Sequence, residues 1–292
     1  MKLNLHVSSF SAWPDGPAGI APTLAAVARA ADEGGFGTLT VMDHFFQMES
    51  QGGPAEPMLE AYTTLGFLAG QTSRIQLGAL VTGVTYRHPG LLAKIITTLD
   101  VLSSGRAVLG LGAAWYEREH LGLGVPFPPL AERFERLEEA LQICLQMWSE
   151  DEGSYTGRHT ALAETVNRPP SVSRPRPRVL VGGSGERKTL RLVARYADAC
   201  NLFPSSVEEV RHKLAVLDRH CADVGRDPAE VTRTIFAATT PSTDPDGFLA
   251  EARTWAGLGI SELWTGAPLD TVDPAAWAAA VGADTVPRLA AI

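Results

Sequence analysis

Short apolar runs alternate along the chain with longer stretches in which apolar positions recur every three or four residues. The first pattern is that of buried parallel strands and the second that of amphipathic helices. Strands are predicted over Leu3–Val7, Thr38–Met42, Ile75–Val81, Ala107–Leu111, Val179–Val181, Asp198–Phe203, Val231–Ala238 and Glu262–Thr265. Helices are predicted over Pro22–Glu33, Leu59–Gln71, Pro89–Leu102, Leu130–Trp148, Glu186–Tyr196, Val207–Val224, Pro245–Gly257 and Pro274–Val281.

The clearest unit runs from Ile75 to His120. In its helix Pro89 suits a first turn, where a missing N–H is harmless. Leu91, Leu92, Ile95, Ile96, Leu99 and Leu102 are expected to form its apolar face, and Ser103-Ser104-Gly105 ends it. Strand, helix and strand then make a right-handed βαβ unit. The rhythm breaks only between Ser149 and Arg178, a polar and then proline- and arginine-rich excursion expected to contain a short hairpin. Strand and helix alternating throughout 292 residues predict one domain over 1–292. The expected class is α/β, a closed (β/α)8 TIM barrel with an insertion after strand four, with a doubly wound open sheet as the alternative.

Charge and composition narrow the function. With 25 Lys and Arg against 33 Asp and Glu, the formal net charge is −8, which disfavours a nucleic-acid partner. No apolar stretch approaches the ~20 residues of a membrane span, and the first residues lack the apolar run of a secretory signal. Cys144, Cys200 and Cys221 have no metal or redox spacing. A cytoplasmic protein without a metal, acting on a small molecule, is expected.

In such a barrel the chemistry lies at the carboxyl ends of the strands. His44, just beyond strand two, is the catalytic candidate, since an imidazole can give or take a proton near neutral pH; His6 and His88 compete with it. The run Gly182-Gly183-Ser184-Gly185, between a strand and a helix expected to carry Arg187 and Lys188 in its first turn, reads as a phosphate cradle or as a plain glycine turn. Glu117 and His120 fall on one helical face and serve either as a cofactor contact or as a cap. Trp115 and Tyr116 either wall a flat ring or pack. Asn201 and Gly112 stand at strand ends. A lone Glu-x-x-His does not make a metal site, and no Ser/His/Asp arrangement is visible.

Taken together, "GFGTLTVMDHF", "LGALVTGVTYRHPGLLAKIITTLDVLSSGRAVLGLGAAWYEREHLGLGVPFP", "ERFERLEEALQIC" and "VLVGGSGERKTLRLVARYADACNLF" resemble the luciferase-like monooxygenase family. The resemblance is to its branch of coenzyme F420-dependent oxidoreductases. It implies a deazaflavin cofactor, with FMN and oxygen chemistry, or a non-catalytic flavin-binding protein, as alternatives. It also implies that His44, next to Asp43, lies beside the reactive ring. A bulged third strand with a non-prolyl cis peptide between Leu80 and Val81 would back the ring, with Thr82 following. Gly182 to Gly185 would hold the cofactor phosphate, and Asp43, Gly112, Trp115, Glu117, His120 and Asn201 would complete the cofactor site. The substrate would be bounded by the excursion, and a homodimer is suggested by relatives. The sugar-phosphate dehydrogenases of the family carry a glutamate where this chain reads Trp115 and a tryptophan where it reads Met48, so their mechanism does not transfer directly.

Overall fold

In a computed structural model, which describes residues 1–203 and 206–292, eight parallel strands follow one another around a closed sheet. They are β1 (Lys2–Val7), β2 (Thr38–Val41), β3 (Gln76–Ala79), β4 (Ala107–Gly112), β5 (Arg178–Gly182), β6 (Ala199–Leu202), β7 (Thr232–Phe236) and β8 (Glu262–Thr265). Closure is explicit in the register. Leu5 of β1 lies opposite both Leu39 of β2 and Thr265 of β8, and Leu77 of β3 opposite Ala107 of β4. The open sheet is thereby excluded. The helices α1 (Gly16–Glu33), α2 (Ala61–Ala69), α3 (Pro89–Leu102), α4 (Glu117–Leu123), α5 (Leu130–Met147), α6 (Thr189–Tyr196), α7 (Val207–Asp223), α8 (Pro245–Ala256) and α9 (Pro274–Ala290) accompany the strands. Among the described residues, no helix is long and apolar enough to cross a membrane.

Two cores hold the barrel. The larger packs the outer strand faces against the helices, with Leu92, Ile96 and Leu99 of α3 and Leu137, Leu141 and Cys144 of α5 buried in it. The smaller fills the interior with Val108, Leu180, Ala199 and Trp264, and Leu80, Val81 and Phe236 pack against it. Trp264 donates to Thr234 Oγ1 at 2.9 Å, and that hydroxyl donates to Asn201 Oδ1 at 3.0 Å. The interior therefore ends in a polar layer just below the carboxyl ends of the strands. Side chains cap several helix starts: Glu60 accepts from Thr63 N at 2.6 Å, Asp244 from Gly247 N and Asp273 from Ala276 N.

Several boundaries differ from the sequence expectation, each for a local reason. On α3, Leu91 and Leu102 are exposed, because one helical face can follow only Leu92, Ile96 and Leu99 inward. Helix α1 starts at Gly16 and runs through Pro22. Strand β3 stops at Ala79. The Leu80-Val81 bond is cis, as the resemblance implied, and Thr82–Gly83 then resumes pairing with Leu111 and Gly112 of β4. Helix α6 begins only at Thr189, because Leu190 N bonds back to Gly185 O and closes a turn over Glu186, Arg187 and Lys188. Those two cations thus precede the helix instead of occupying its first turn.

The excursion contains the expected hairpin, Tyr155–Thr156 against Ala161–Leu162. It lies along α5 and α3: Glu139 accepts from Arg158 N and His159 N, Tyr155 Oη donates to Gln142, and Asn167 Nδ2 donates to Thr97.

Candidate active site

The carboxyl ends of the strands enclose a cavity of about 870 Å³, within the range of small-molecule sites. Most of its wall is apolar or aromatic, including Met42, Met48, Leu80, Val81, Trp115, Leu130, Phe134, Phe203 and Phe236. Of the residues expected at the site, Asp43, His44, Leu80, Val81, Thr82, Gly112, Trp115, Gly182, Gly183, Gly185 and Asn201 line it. Glu117, His120 and Ser184 do not. No residue of the excursion lines it either, because that segment is bonded to the outer faces of α3 and α5. The expectation that residues 149–178 bound the substrate is therefore corrected.

His44 owes its place to the turn that leaves β2. Its Nδ1 lies 2.6 Å from Glu119 Oε1. The same carboxylate accepts from Phe45 N at 2.7 Å, Phe46 N at 3.1 Å and Tyr86 Oη. Burial opposes ionisation of Glu119, but the bonds from His44, Tyr86 and Phe45 outweigh it and hold the carboxyl below its usual range. An ionised carboxylate can only accept, so Nδ1 carries the proton and Nε2 is the remaining ring nitrogen of a cavity-lining side chain. Burial, and then the bond to Glu119, push the Tyr86 phenol far above its ordinary value, so it stays a donor. Trp115 and Tyr116 meet the imidazole edge-on at 5.6 and 5.7 Å.

The acidic residue of this turn is thus Glu119, two positions from the Glu117 anticipated. On α4, Glu117 is exposed and Glu119 is fully buried. His120 is buried behind the site. Its Nδ1 donates to Tyr116 O at 2.7 Å, its Nε2 accepts from Thr85 Oγ1 at 2.6 Å, and its ring stacks on Tyr86 at 4.5 Å. It supports Tyr86 and makes no contact with the cavity. Asp43 is held by both guanidinium nitrogens of Arg87, at 2.7 and 2.9 Å, and by Gly83 N. Arg87 also reaches Glu60 at 2.6 Å and lies over the Tyr62 ring. This ion pair ties the end of β2 to the Thr82–Gly83 segment.

The glycines have separate reasons. A Cβ on Gly112 or Gly182 would stand 2.7 or 2.8 Å from the Val81 side chain, so both are bare where Val81 enters. Gly183 has φ +119, a backbone state that L side chains rarely adopt, and donates to Asn201 O at 3.2 Å. Gly185 faces Thr189 Oγ1. The Ser184 carbonyl is taken by Lys213 Nζ. Asn201, fully buried on the cavity wall, leaves its Nδ2 without an acceptor among the described residues. An unpaired buried amide donor is uncommon, which singles this one out on the cavity wall.

His6, also on the wall, bonds Thr40 Oγ1 at 2.9 Å. Burial, and then His44, push its pKa down to about 4. The unfolded chain protonates this residue near pH 6.5, so between those two values the unfolded state binds more protons and stability falls as pH is lowered. Urea unfolding should lose about 3 kcal/mol between pH 6.5 and 4 through this residue, a pKa unit being worth about 1.4 kcal/mol. His6→Gln should show a correspondingly shallower loss; equal losses in the two proteins would contradict the assignment.

Residues 5–280 match the model of the luciferase-like monooxygenase family. An F420-dependent glucose-6-phosphate dehydrogenase of Microbacterium testaceum is 31% identical over 235 residues, 79% of this chain and 68% of that protein. The coenzyme F420-dependent tetrahydromethanopterin reductase of Methanopyrus kandleri superposes with a TM-score of 0.77 at 15% identity, over 99% of this chain and 100% of that one. A monooxygenase of Streptomyces bottropensis superposes with a TM-score of 0.75 at 19% identity, over 99% of both chains. At such identities the two superpositions speak for the fold alone.

Proposed function

This chain belongs to the luciferase-like monooxygenase family, and from that premise we propose that it is an oxidoreductase using the deazaflavin coenzyme F420 for hydride transfer to a small organic substrate. The observation that carries the reading is His44, on the wall of an apolar cavity, with Nδ1 pinned by a buried ionised carboxylate. The cofactor named for the Microbacterium testaceum relative supports the choice of deazaflavin.

The residues present fit such a group. The unpartnered Nδ2 of Asn201 suits a heteroaromatic ring edged with acceptors. Leu80 and Val81, followed by Thr82, would back the ring, and Gly112, with no side chain, leaves room for Val81 to do so. Asp43 would hold the Thr82–Gly83 segment in place through Gly83 N. Gly183, Gly185 and the Thr189 hydroxyl would take the phosphate of the tail at the start of α6. Trp115 would cover the His44 side.

Bound in reduced form, the deazaflavin supplies a hydride. Nε2 of His44 stands ready to give a proton to the substrate atom on which charge develops. Glu119 stabilises the imidazolium that precedes this donation and fixes the ring orientation. The apolar wall excludes water.

An absorbance titration of the purified protein with oxidised F420 and, separately, with FMN tests the reading. Saturable F420 binding is expected; FMN binding without any F420 binding would overturn it. Gly183→Asp should weaken F420 by about tenfold or more relative to Gly183→Asn. Both variants carry the same backbone strain at φ +119, and only the first sets a charge against the phosphate. Equal affinities would remove the phosphate from this turn.

A further inference from the structure

The charge of the cavity wall differs from what a phosphorylated substrate requires. Among the described residues no Lys or Arg lines the cavity. The cations near it are engaged elsewhere. Arg87 is bound to Asp43 and Glu60. Arg118 pairs with Glu49 at 2.6 Å, and Arg133 donates to Ala114 O at 2.6 Å while covering the Phe127 ring. The Lys188 ammonium stands over the Phe134 ring at 5.3 Å, next to the glycine turn. Groups suited to an anion are thus that turn and, when protonated, the His44 imidazole, whose charge is already met by the Glu119 carboxylate at 2.6 Å. Elsewhere the wall includes Met48, Gln51, Leu130 and Trp115, the last edge-on to His44. Gln51 Oε1 is buried there with no donor among the described residues. A neutral acceptor of that kind repels a phosphate oxygen and suits an O–H or N–H group.

Burying a phosphate against this wall would give its charge no partner beyond an imidazole already paired with Glu119, which is strongly unfavourable. Apolar surface placed against Trp115 and Leu130, which are 61% and 55% exposed, would instead be removed from water together with theirs.

We propose that the His44 end of the cavity takes an uncharged, predominantly apolar substrate bearing a neutral O–H or N–H group, and rejects phosphorylated compounds. The inference rests on the cofactor occupying the glycine-turn end. It separates this chain from the sugar-phosphate chemistry that its relative's name states.

The test uses a matched pair on protein saturated with oxidised F420: 1-naphthol and 1-naphthyl phosphate, which share a ring system and differ in the charged group. Isothermal titration should show 1-naphthol binding at least about tenfold tighter than 1-naphthyl phosphate. Trp115→Ala should weaken the naphthol by about tenfold on protein first shown to be saturated with F420. Leu130→Arg, at the exposed first residue of α5, should raise affinity for the phosphate by about tenfold in low salt and change that for naphthol little. Naphthyl phosphate binding as tightly as naphthol, binding of neither compound, or a Leu130→Arg protein indifferent to the phosphate would each overturn the inference. Failure of F420 to bind is seen before either naphthyl compound is added. It counts against the cofactor reading alone.

Discussion

His44→Ala should lower turnover with any accepted substrate by about 10²–10⁴-fold, the usual contribution of one positioned acid–base group. F420 affinity, measured by the same absorbance titration, should stay within about threefold, because the ring contacts argued above come from Leu80, Val81 and Asn201. Loss of turnover with intact binding distinguishes an enzyme from a protein that merely carries the cofactor; unchanged turnover would remove His44 from the chemistry. Glu119→Gln provides the companion measurement. Its amide keeps the size of the carboxylate, but it cannot offer two acceptor oxygens to His44, Tyr86, Phe45 and Phe46 together. It should lower kcat by about tenfold or more without moving F420 affinity, since Glu119 acts only through the orientation and charge of the imidazole.

Gly110→Val should destabilise the barrel by about 3 kcal/mol or more. A Cβ at Gly110 would stand 2.1 Å from Ala79 O, and that carbonyl belongs to β3 and cannot swing away as a side chain would. The same displacement would push on Leu80 and Val81, so any folded fraction should also bind F420 more weakly. Gly66→Ala is the control. Gly66 is exposed in α2 and a Cβ there meets nothing within 4 Å. Relief of glycine's entropy should stabilise that variant by about 0.5–1 kcal/mol. Urea unfolding of both proteins decides the matter; similar midpoints would refute the packing argument.

The alternation of short strand-like runs with helices apolar on one face carried the barrel, even though buried strand positions include Asn4, His6, Thr40 and Thr234. His44 was legible for the same reason: it is the first titratable side chain with a free end after β2, apart from Asp43. Glu119 was not legible. It stands 75 residues from His44, and only closure of β2, β3 and β4 side by side brings α4 to the turn that carries the histidine. A helical-face argument could pair Glu117 with His120, yet burial rotates α4 so that Glu119 and His120 face inward. The glycine run was legible as a turn. The reason for Gly182 was not, since it depends on Val81 entering from another strand. The excursion was recognisable by composition, but its bonds to α3 and α5 rest on single side chains such as Glu139 and Asn167, which no periodicity marks.

Val81, wedged between Gly112 and Gly182, makes three distant positions share one volume. A methyl group added at 112 or 182 has to be taken away at 81, and a larger residue at 81 has no neighbour that can shrink further. In any lineage descended from this chain these positions should therefore drift together or not at all. The width of the slot that Val81 fills is then inherited as a single trait, written in three separate parts of the sequence.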